Sequence, residues 1–134
     1  MLDANSTSIA MLDVGQGDSF LVKSRGLTLL IDTGNNPRKL LAGLARHGVN
    51  RLDGVVISHA DDDHCGCLAD LRGVVSVDSV FVAKGLSSVG TDKVDDMLKD
   101  AERLSSASGI RELAVGDMIT IGSVRFKVIS PEGL

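Results

Sequence analysis

Aromatic residues are nearly absent from this chain of 134 residues, which has three Phe and no Trp or Tyr. Aliphatic side chains must therefore build the core, and a platform on which nucleic-acid bases stack is not expected. At 43% apolar residues, the chain still carries enough material for a modest core. We predict a single domain over residues 1–134.

Long basic runs and long apolar runs are also missing. The net charge is −4 and Lys and Arg form no cluster, which argues against a broad phosphate-binding surface on this segment. No apolar run approaches the length of a membrane span, and the N-terminus lacks the basic start of a signal peptide. The only cysteines, Cys65 and Cys67, are too close in sequence for a disulfide framework. We expect a soluble segment that does not itself insert into a membrane.

Strands and helices alternate along the chain. Three runs separated by short glycine-containing turns, SIAMLDV, SFLVKS and LTLLID, predict a β-meander. A helix is expected from Pro37 to a stop at Gly48. The following strand, GVVIS, is almost wholly apolar, and by itself it implies cover by helices on both faces. For the sheet as a whole we expect helices mainly on one face. A longer helix over 91–109 and two β-rich runs complete the prediction of an α/β fold with a mixed sheet.

The stretch SHADDDHCGC, residues 58–67, carries two histidines and three aspartates directly after that apolar strand. Loops at the carboxyl ends of strands are where α/β sheets place their chemistry. Acids and imidazoles this close repel and compete for protons unless a cation neutralises the acids. Imidazole nitrogen and carboxylate oxygen together suit Zn²⁺, Mn²⁺ or Fe. The alternative is a solvated acidic turn with an Asp that caps the next helix.

Three strings in this order resemble a known family. His59, Asp61, Asp63 and His64 resemble the H-x-H-x-D-H motif of the metallo-β-lactamase superfamily, with Asp in the second ligand position. LLIDTG resembles the first motif of that superfamily, and MLDVGQGDS is the most specific string of the chain. Together they resemble the hydrolase-like domain of the ComEC-type competence DNA-internalisation proteins, over residues 9–131.

The resemblance implies a metal-dependent hydrolase with a pair of divalent ions, Zn²⁺ or Mn²⁺, in the complete domain. It assigns His59 and Asp61 to the first ion, Asp63 and His64 to the second, Asp61 and Asp63 to catalysis, Asp32 to second-shell support of the metal loop, and Gln16 and Asp18 to the pocket. The implied reaction is attack of a metal-bridging water on a DNA phosphodiester. The implied substrate is the strand discarded during DNA uptake by a bacterial cell-membrane protein.

The family fold consists of two similar halves, an αββα sandwich with the site at the seam, and this chain corresponds to the first half. The later ligands of the family have no candidates here, because the one remaining histidine, His47, is predicted at a helix end. We therefore expect the chain alone to bind metal weakly or not at all, and to show no measurable nuclease activity. Its apolar sheet face would normally meet the missing half-domain, so we expect self-association as a homodimer.

Other interpretations stay open at this point. The chain is alternatively a non-catalytic folding or interaction module with a vestigial metal site, or a free-standing metallo-hydrolase that acts on a lactone, thioester or other phosphoester. Cys65 is a packing residue or an additional soft ligand. Cys67 stands where the family pattern has the second Gly of H-x-G-G, so its side chain is expected to crowd the start of the next helix.

Overall fold

A computed structural model describes residues 7–15, 19–58, 67–83, 92–114, 116–121 and 124–128. Its helices and strands are, in chain order, β1 (Thr7–Met11), β2 (Phe20–Ser24), β3 (Leu27–Ile31), α1 (Pro37–Arg46), β4 (Arg51–Leu52), β5 (Gly54–Ile57), a 3₁₀ turn (Ala69–Leu71), β6 (Ser76–Ala83), α2 (Asp92–Leu104), β7 (Ser105–Leu113), β8 (Met118–Ile121) and β9 (Val124–Lys127). The predicted α/β class with a mixed sheet is confirmed.

The main sheet is antiparallel at one side and parallel at the other. Strands β1, β2 and β3 form the predicted meander, and β3, β5, β6 and β7 then follow in parallel. The short strand β4 pairs with the start of β6, and Asp53 ties the β4–β5 junction to β3 through a backbone hydrogen bond to the carbonyl of Thr28, 2.8 Å long. Because β3, β5 and β6 run in parallel, their carboxyl ends lie at one edge of the sheet. Asp32 and Ser58 follow two of these ends.

Helix α1 has the limits that the sequence predicts. The Asn36 side chain accepts a hydrogen bond from the Lys39 amide, 3.1 Å long, and Pro37 occupies the first helical position. Gly48 lies just beyond the helix end with a φ of +68°, a conformation that favours glycine. Leu40 and Leu44, four residues apart, are buried against the sheet. Burial of this apolar stripe therefore fixes α1 on one face of the sheet.

Both helices cover the same face, and the packing between them and the sheet is called the helix-side core here. Its buried members are Leu12, Val14, Leu21, Leu30, Leu40, Leu44, Leu52, Val55, Ile57, Cys67, Leu68, Leu71, Val75, Val77, Val80, Val82, Met97, Ala101 and Leu104. The set is aliphatic apart from Cys67 and Met97 and contains no aromatic residue, in keeping with the shortage of aromatic residues in the sequence. The helix-side core is the larger of the two apolar clusters among the described residues.

Within the described residues, the opposite face is covered in part by a β-hairpin and by no helix. The described helices therefore lie on one face, as expected for the whole sheet, and not on both faces as the GVVIS strand alone implies. Strands β8 and β9 form a separate two-stranded sheet. Ile119 of this hairpin packs with Val22 and Leu29, which are both fully buried. An apolar strand indicates burial on both faces but does not say which kind of element buries it. At the edge strand β1 the same face stays open, since Ile9 is 63% exposed and Met11 67%.

Helix α2 ends earlier than the sequence predicts. It was expected to extend to residue 109, but it ends at Leu104 and the chain continues directly as β7. Strand β7 pairs in parallel with β6 at Val77↔Ser105 and, after a shift in register, from Ser79↔Gly109 to Ala83↔Leu113. These pairings outweigh the weak helix propensity of the SSASG stretch. No helix in the described part of the chain is both long and apolar enough to cross a bilayer.

Candidate functional site

Most of the predicted site residues lie outside the described residues. This holds for His59, Asp61, Asp63, His64, Gln16 and Asp18, and also for Cys65. Their assigned roles therefore stay predictions. Within the described ranges, no three His, Cys, Asp or Glu side chains come together as a metal-binding group. The structure does describe Asp32 and the four residues that flank segments 16–18 and 59–66: Gly15, Ser19, Ser58 and Cys67.

Asp32 binds the residue immediately before His59. Its two carboxylate oxygens accept hydrogen bonds from the amide and the hydroxyl of Ser58, at 2.7 and 2.6 Å. The Asp32 amide donates to the carbonyl of Val56, 2.8 Å away, and only 4% of the residue is exposed. Its φ of 60° is in the left-handed region, which is uncommon for a residue with a side chain. Asp32 therefore leaves β3 in a sharp turn and fixes the point where β5 enters the loop.

Ser19 connects the first motif to the same position. Its hydroxyl donates to the carbonyl of Asp32 at 2.8 Å, and its own carbonyl accepts from the Leu12 amide at 2.8 Å. Ser19 is fully buried, so these bonds satisfy polar groups that water does not reach. Sequence reasoning did not single out Ser19, although it is the last residue of MLDVGQGDS. The bonds join Leu12 and Ser19, at the two ends of the 12–19 loop, and hold Ser19 against the end of β3.

Gly34 allows this loop to come close to the LLIDTG motif. A Cβ atom on Gly34 would lie 2.6 Å from Val14 Cγ2 and 2.7 Å from Val14 Cβ, well inside van der Waals contact. The φ of Gly34 is +68°, so a side chain here would also be strained. Two physical requirements therefore favour glycine at position 34: the left-handed backbone conformation and the space that Val14 fills.

Cys67 marks the far end of the acidic and histidine-rich segment. Its amide donates to Thr33 Oγ1 over 3.2 Å, and its side chain is fully buried in the helix-side core. Burial, together with the nearby charge of Asp70, raises the pKa of the Cys67 thiol to about 11. The thiol therefore packs in the core as a small uncharged side chain. The side chain that stands in place of the second Gly of H-x-G-G is thus a member of the helix-side core.

All three motifs thus meet at the end of β3. Hydrogen bonds join Ser19 to Asp32, Asp32 to Ser58, and Thr33 to Cys67. The Asp32 carboxylate already accepts two hydrogen bonds, which suits a supporting group better than a metal ligand. The remaining donors are the imidazoles and carboxylates of segment 59–66, a mixed set that suits Zn²⁺ or Mn²⁺. The donor chemistry and the anchored frame therefore fit a metal centre.

Comparison with known proteins identifies the family of the chain. The model of the metallo-beta-lactamase superfamily matches residues 12–127, which is most of the chain. The chain belongs to this superfamily. ComE operon protein 3 of Bacillus subtilis (strain 168) is 30% identical over 145 aligned residues, which cover 92% of this chain and 18% of that protein. Competence protein ComA of Neisseria gonorrhoeae is 40% identical over 65 residues, 46% of this chain and 9% of that protein. The predicted resemblance to ComEC-type proteins is confirmed.

Several solved structures share the fold of this chain. Metallo-beta-lactamase SMB-1 aligns with a TM-score of 0.65 at 15% identity, over 94% of this chain and 54% of its own. Rubredoxin oxygen:oxidoreductase from Desulfovibrio gigas also aligns with a TM-score of 0.65, at 16% identity, over 90% of this chain and 34% of its own. The chain therefore spans about half or less of these structures and under one fifth of the curated relatives. Members of the superfamily generally depend on a pair of metal ions.

Proposed function

We propose that this chain is part of a metal-dependent DNA phosphodiesterase in a bacterial DNA-uptake protein. The observation that carries the proposal is the pair of hydrogen bonds from Ser58 to Asp32, which fixes the chain directly before the H-x-D-x-D-H segment. Two competence proteins among the relatives support a role in DNA uptake. We place the parent protein in the bacterial cell membrane, with this segment outside the bilayer.

Each site residue has a defined part in this proposal. His59 and Asp61 would hold one divalent ion, and Asp63 and His64 the other. Held by these residues, a pair of ions would supply a bound water of lowered pKa and polarisation of the phosphoryl oxygens of the substrate. Asp32 orients the loop through Ser58 and leaves the metal-binding carboxylates to Asp61 and Asp63. The ions would also supply positive charge for a phosphate substrate, which a chain with a net charge of −4 needs.

A complete site is proposed to require a second half-domain. Four candidate ligands come from one short segment, and His47, the only other histidine, is exposed at the end of α1 on the far side from the carboxyl ends of the strands. We therefore expect weak metal binding and no DNA cleavage from these 134 residues alone. In the complete protein the second half would contribute the remaining ligands and contact DNA together with this one.

The experiment is a metal analysis and a nuclease assay of this chain beside a form extended by a second half-domain. Both proteins are incubated with labelled single-stranded and double-stranded DNA and with Zn²⁺ or Mn²⁺. The extended form should retain metal and cleave DNA until a chelator is added, whereas the chain alone should do neither. Tight stoichiometric metal binding by the chain alone would show that its ligand set is already sufficient.

The same assay separates the alternatives. An extended form that binds metal and hydrolyses a lactone or thioester, but leaves DNA intact, would be a metallo-hydrolase with another substrate. An extended form that binds no metal would be an interaction module with a vestigial site. Either result would rule out the proposed phosphodiesterase.

We further propose that a second copy of the chain covers the open part of its second sheet face. Met11, Phe20, Ile31 and Val56 are cross-strand neighbours in one apolar row across four strands. The row is half-buried except at Met11, which is 67% exposed on an edge strand. Exposed apolar edge strands favour pairing with another chain.

Light scattering at high concentration tests this self-association. The unchanged chain should give the mass of a dimer, and Ile9→Lys combined with Met11→Lys should give that of a monomer. Val74→Lys is the matched control, because Val74 is 54% exposed but follows the 3₁₀ turn, away from this row. A monomer for the unchanged chain would contradict the proposal, as would equal dissociation by the control.

A further inference from the structure

We infer that Thr33 is a positioning residue that anchors the far end of the candidate metal loop, while Asp32 anchors the near end. The loop here means residues 59–66, between Ser58 and Cys67. Its description as a metal loop rests on the proposed function, but the anchoring itself does not. Of these two consecutive residues, the sequence motif gives a role only to Asp32.

Two consecutive residues, Asp32 and Thr33, accept hydrogen bonds from the two residues that flank the loop, and this geometry points to the role. Asp32 accepts from the amide and hydroxyl of Ser58 at 2.7 and 2.6 Å, and Thr33 accepts from the amide of Cys67 at 3.2 Å. Asp32 directly follows β3, and its left-handed backbone conformation turns the chain away from the strand at this point. Two adjacent side chains at one strand end therefore bind both ends of the same loop.

The Thr33 hydroxyl provides a hydrogen-bond acceptor that an apolar side chain of the same size would not. Thr33 is fully buried, as is Cys67, so the Cys67 amide needs a partner within the protein. The hydroxyl accepts from this amide and donates to the carbonyl of Gly34 at 3.1 Å. A valine would occupy nearly the same volume but leave the amide without this acceptor. The contact therefore depends on an oxygen atom and not on packing.

Fixing both ends of a loop reduces the entropy that its ligands lose when they converge on an ion. Supporting groups around metal ligands typically change metal affinity or activity by about 10- to 100-fold. Thr33 and Asp32 act on opposite ends of the segment, so we expect the loss of either anchor to loosen all four candidate ligands. Thr33 itself touches neither metal nor substrate in this scheme.

Hydrogen exchange of the Cys67 amide tests the anchor directly. In Thr33→Val we expect this amide to exchange about tenfold faster, relative to the Val55 amide in the central strand β5. Thr33→Ser keeps the oxygen and should restore slow exchange, although it removes a buried methyl group. Should Thr33→Val not fold, Thr33→Ala removes the same oxygen at smaller volume and is measured in its place.

Labelling of the Cys67 thiol gives a second readout in a Cys65→Ser background. The thiol is fully buried, so its reaction with iodoacetamide requires opening of this loop end. The labelling rate should rise with the amide exchange in Thr33→Val and return in Thr33→Ser. An unchanged rate in Thr33→Val, or equal rates in the Val and Ser variants, would overturn the inference.

Activity of the extended form separates this inference from the proposed function. We expect Thr33→Val to lower metal affinity and DNA cleavage about tenfold, and Thr33→Ser to recover both. If the unchanged extended form cleaves no DNA, the proposed function fails while the exchange data still decide the anchor. If it cleaves DNA and Thr33→Val changes neither exchange nor affinity, only the anchor fails.

Discussion

Replacing Asp63 with Ala in the extended form should reduce metal-dependent DNA cleavage by at least about 100-fold, because supporting groups alone change activity by up to that factor. The substitution removes a proposed ligand of the second ion and one of the two carboxylates assigned to catalysis. Metal content should fall with activity. The fold should stay intact, so the urea midpoint and the circular dichroism spectrum should match those of the unchanged protein.

The neighbouring aspartate provides the control for that prediction. Asp62 has the same charge and lies next to Asp63, but the H-x-D-x-D-H pattern does not use it. Asp62→Ala should therefore keep DNA cleavage within about twofold, since a general loss of negative charge changes only the long-range field. If Asp62→Ala is as damaging as Asp63→Ala, the effect comes from the charge of the segment. Full activity of the Asp63→Ala protein would show that Asp63 is not part of the site.

Short-range patterns in the sequence were sufficient for most of the first half of the fold. The meander follows from three strand-like runs with glycine turns, and α1 follows from Pro37, its apolar stripe and Gly48. Each of these signals is local, because capping, periodicity and turn conformation depend on residues a few positions apart. The end of α2 at Leu104 is different. Its cause is parallel pairing of β7 with β6, which joins residues far apart in the chain.

The same distinction separates the parts of the site. The motif strings identified Asp32 and the four candidate ligands, because these residue types in that order match a known family. They did not identify Ser19, Thr33 or Cys67 as anchors. The bond from Cys67 to Thr33 crosses 34 positions and the bond from Ser19 to Asp32 crosses 13. A serine or threonine hydroxyl has no sequence signature for such a partner until the fold brings the two together.

Asp32→Ala should lower the free energy of unfolding by about 3 kcal/mol, from the loss of the two hydrogen bonds that Ser58 donates to the carboxylate. Domains of this kind are stable by only about 5–15 kcal/mol, so the change is a large part of the total. Urea denaturation measures it as a lower midpoint with an unchanged slope. The whole domain should be destabilised, because Asp32 is only 4% exposed and its hydrogen bonds join the end of β3 to β5 and to Ser19.

Two further substitutions at this position separate the causes. Asp32→Asn keeps an oxygen for the Ser58 amide, and its NH₂ group can donate to the Ser58 hydroxyl, so the expected loss is only about 1 kcal/mol. Asparagine also tolerates the φ of 60°. Asp32→Gly accepts that φ without strain but makes neither bond, and should fall between Asn and Ala. If Asn destabilises as much as Ala, the negative charge of Asp32, rather than its hydrogen-bond geometry, holds the three motifs together.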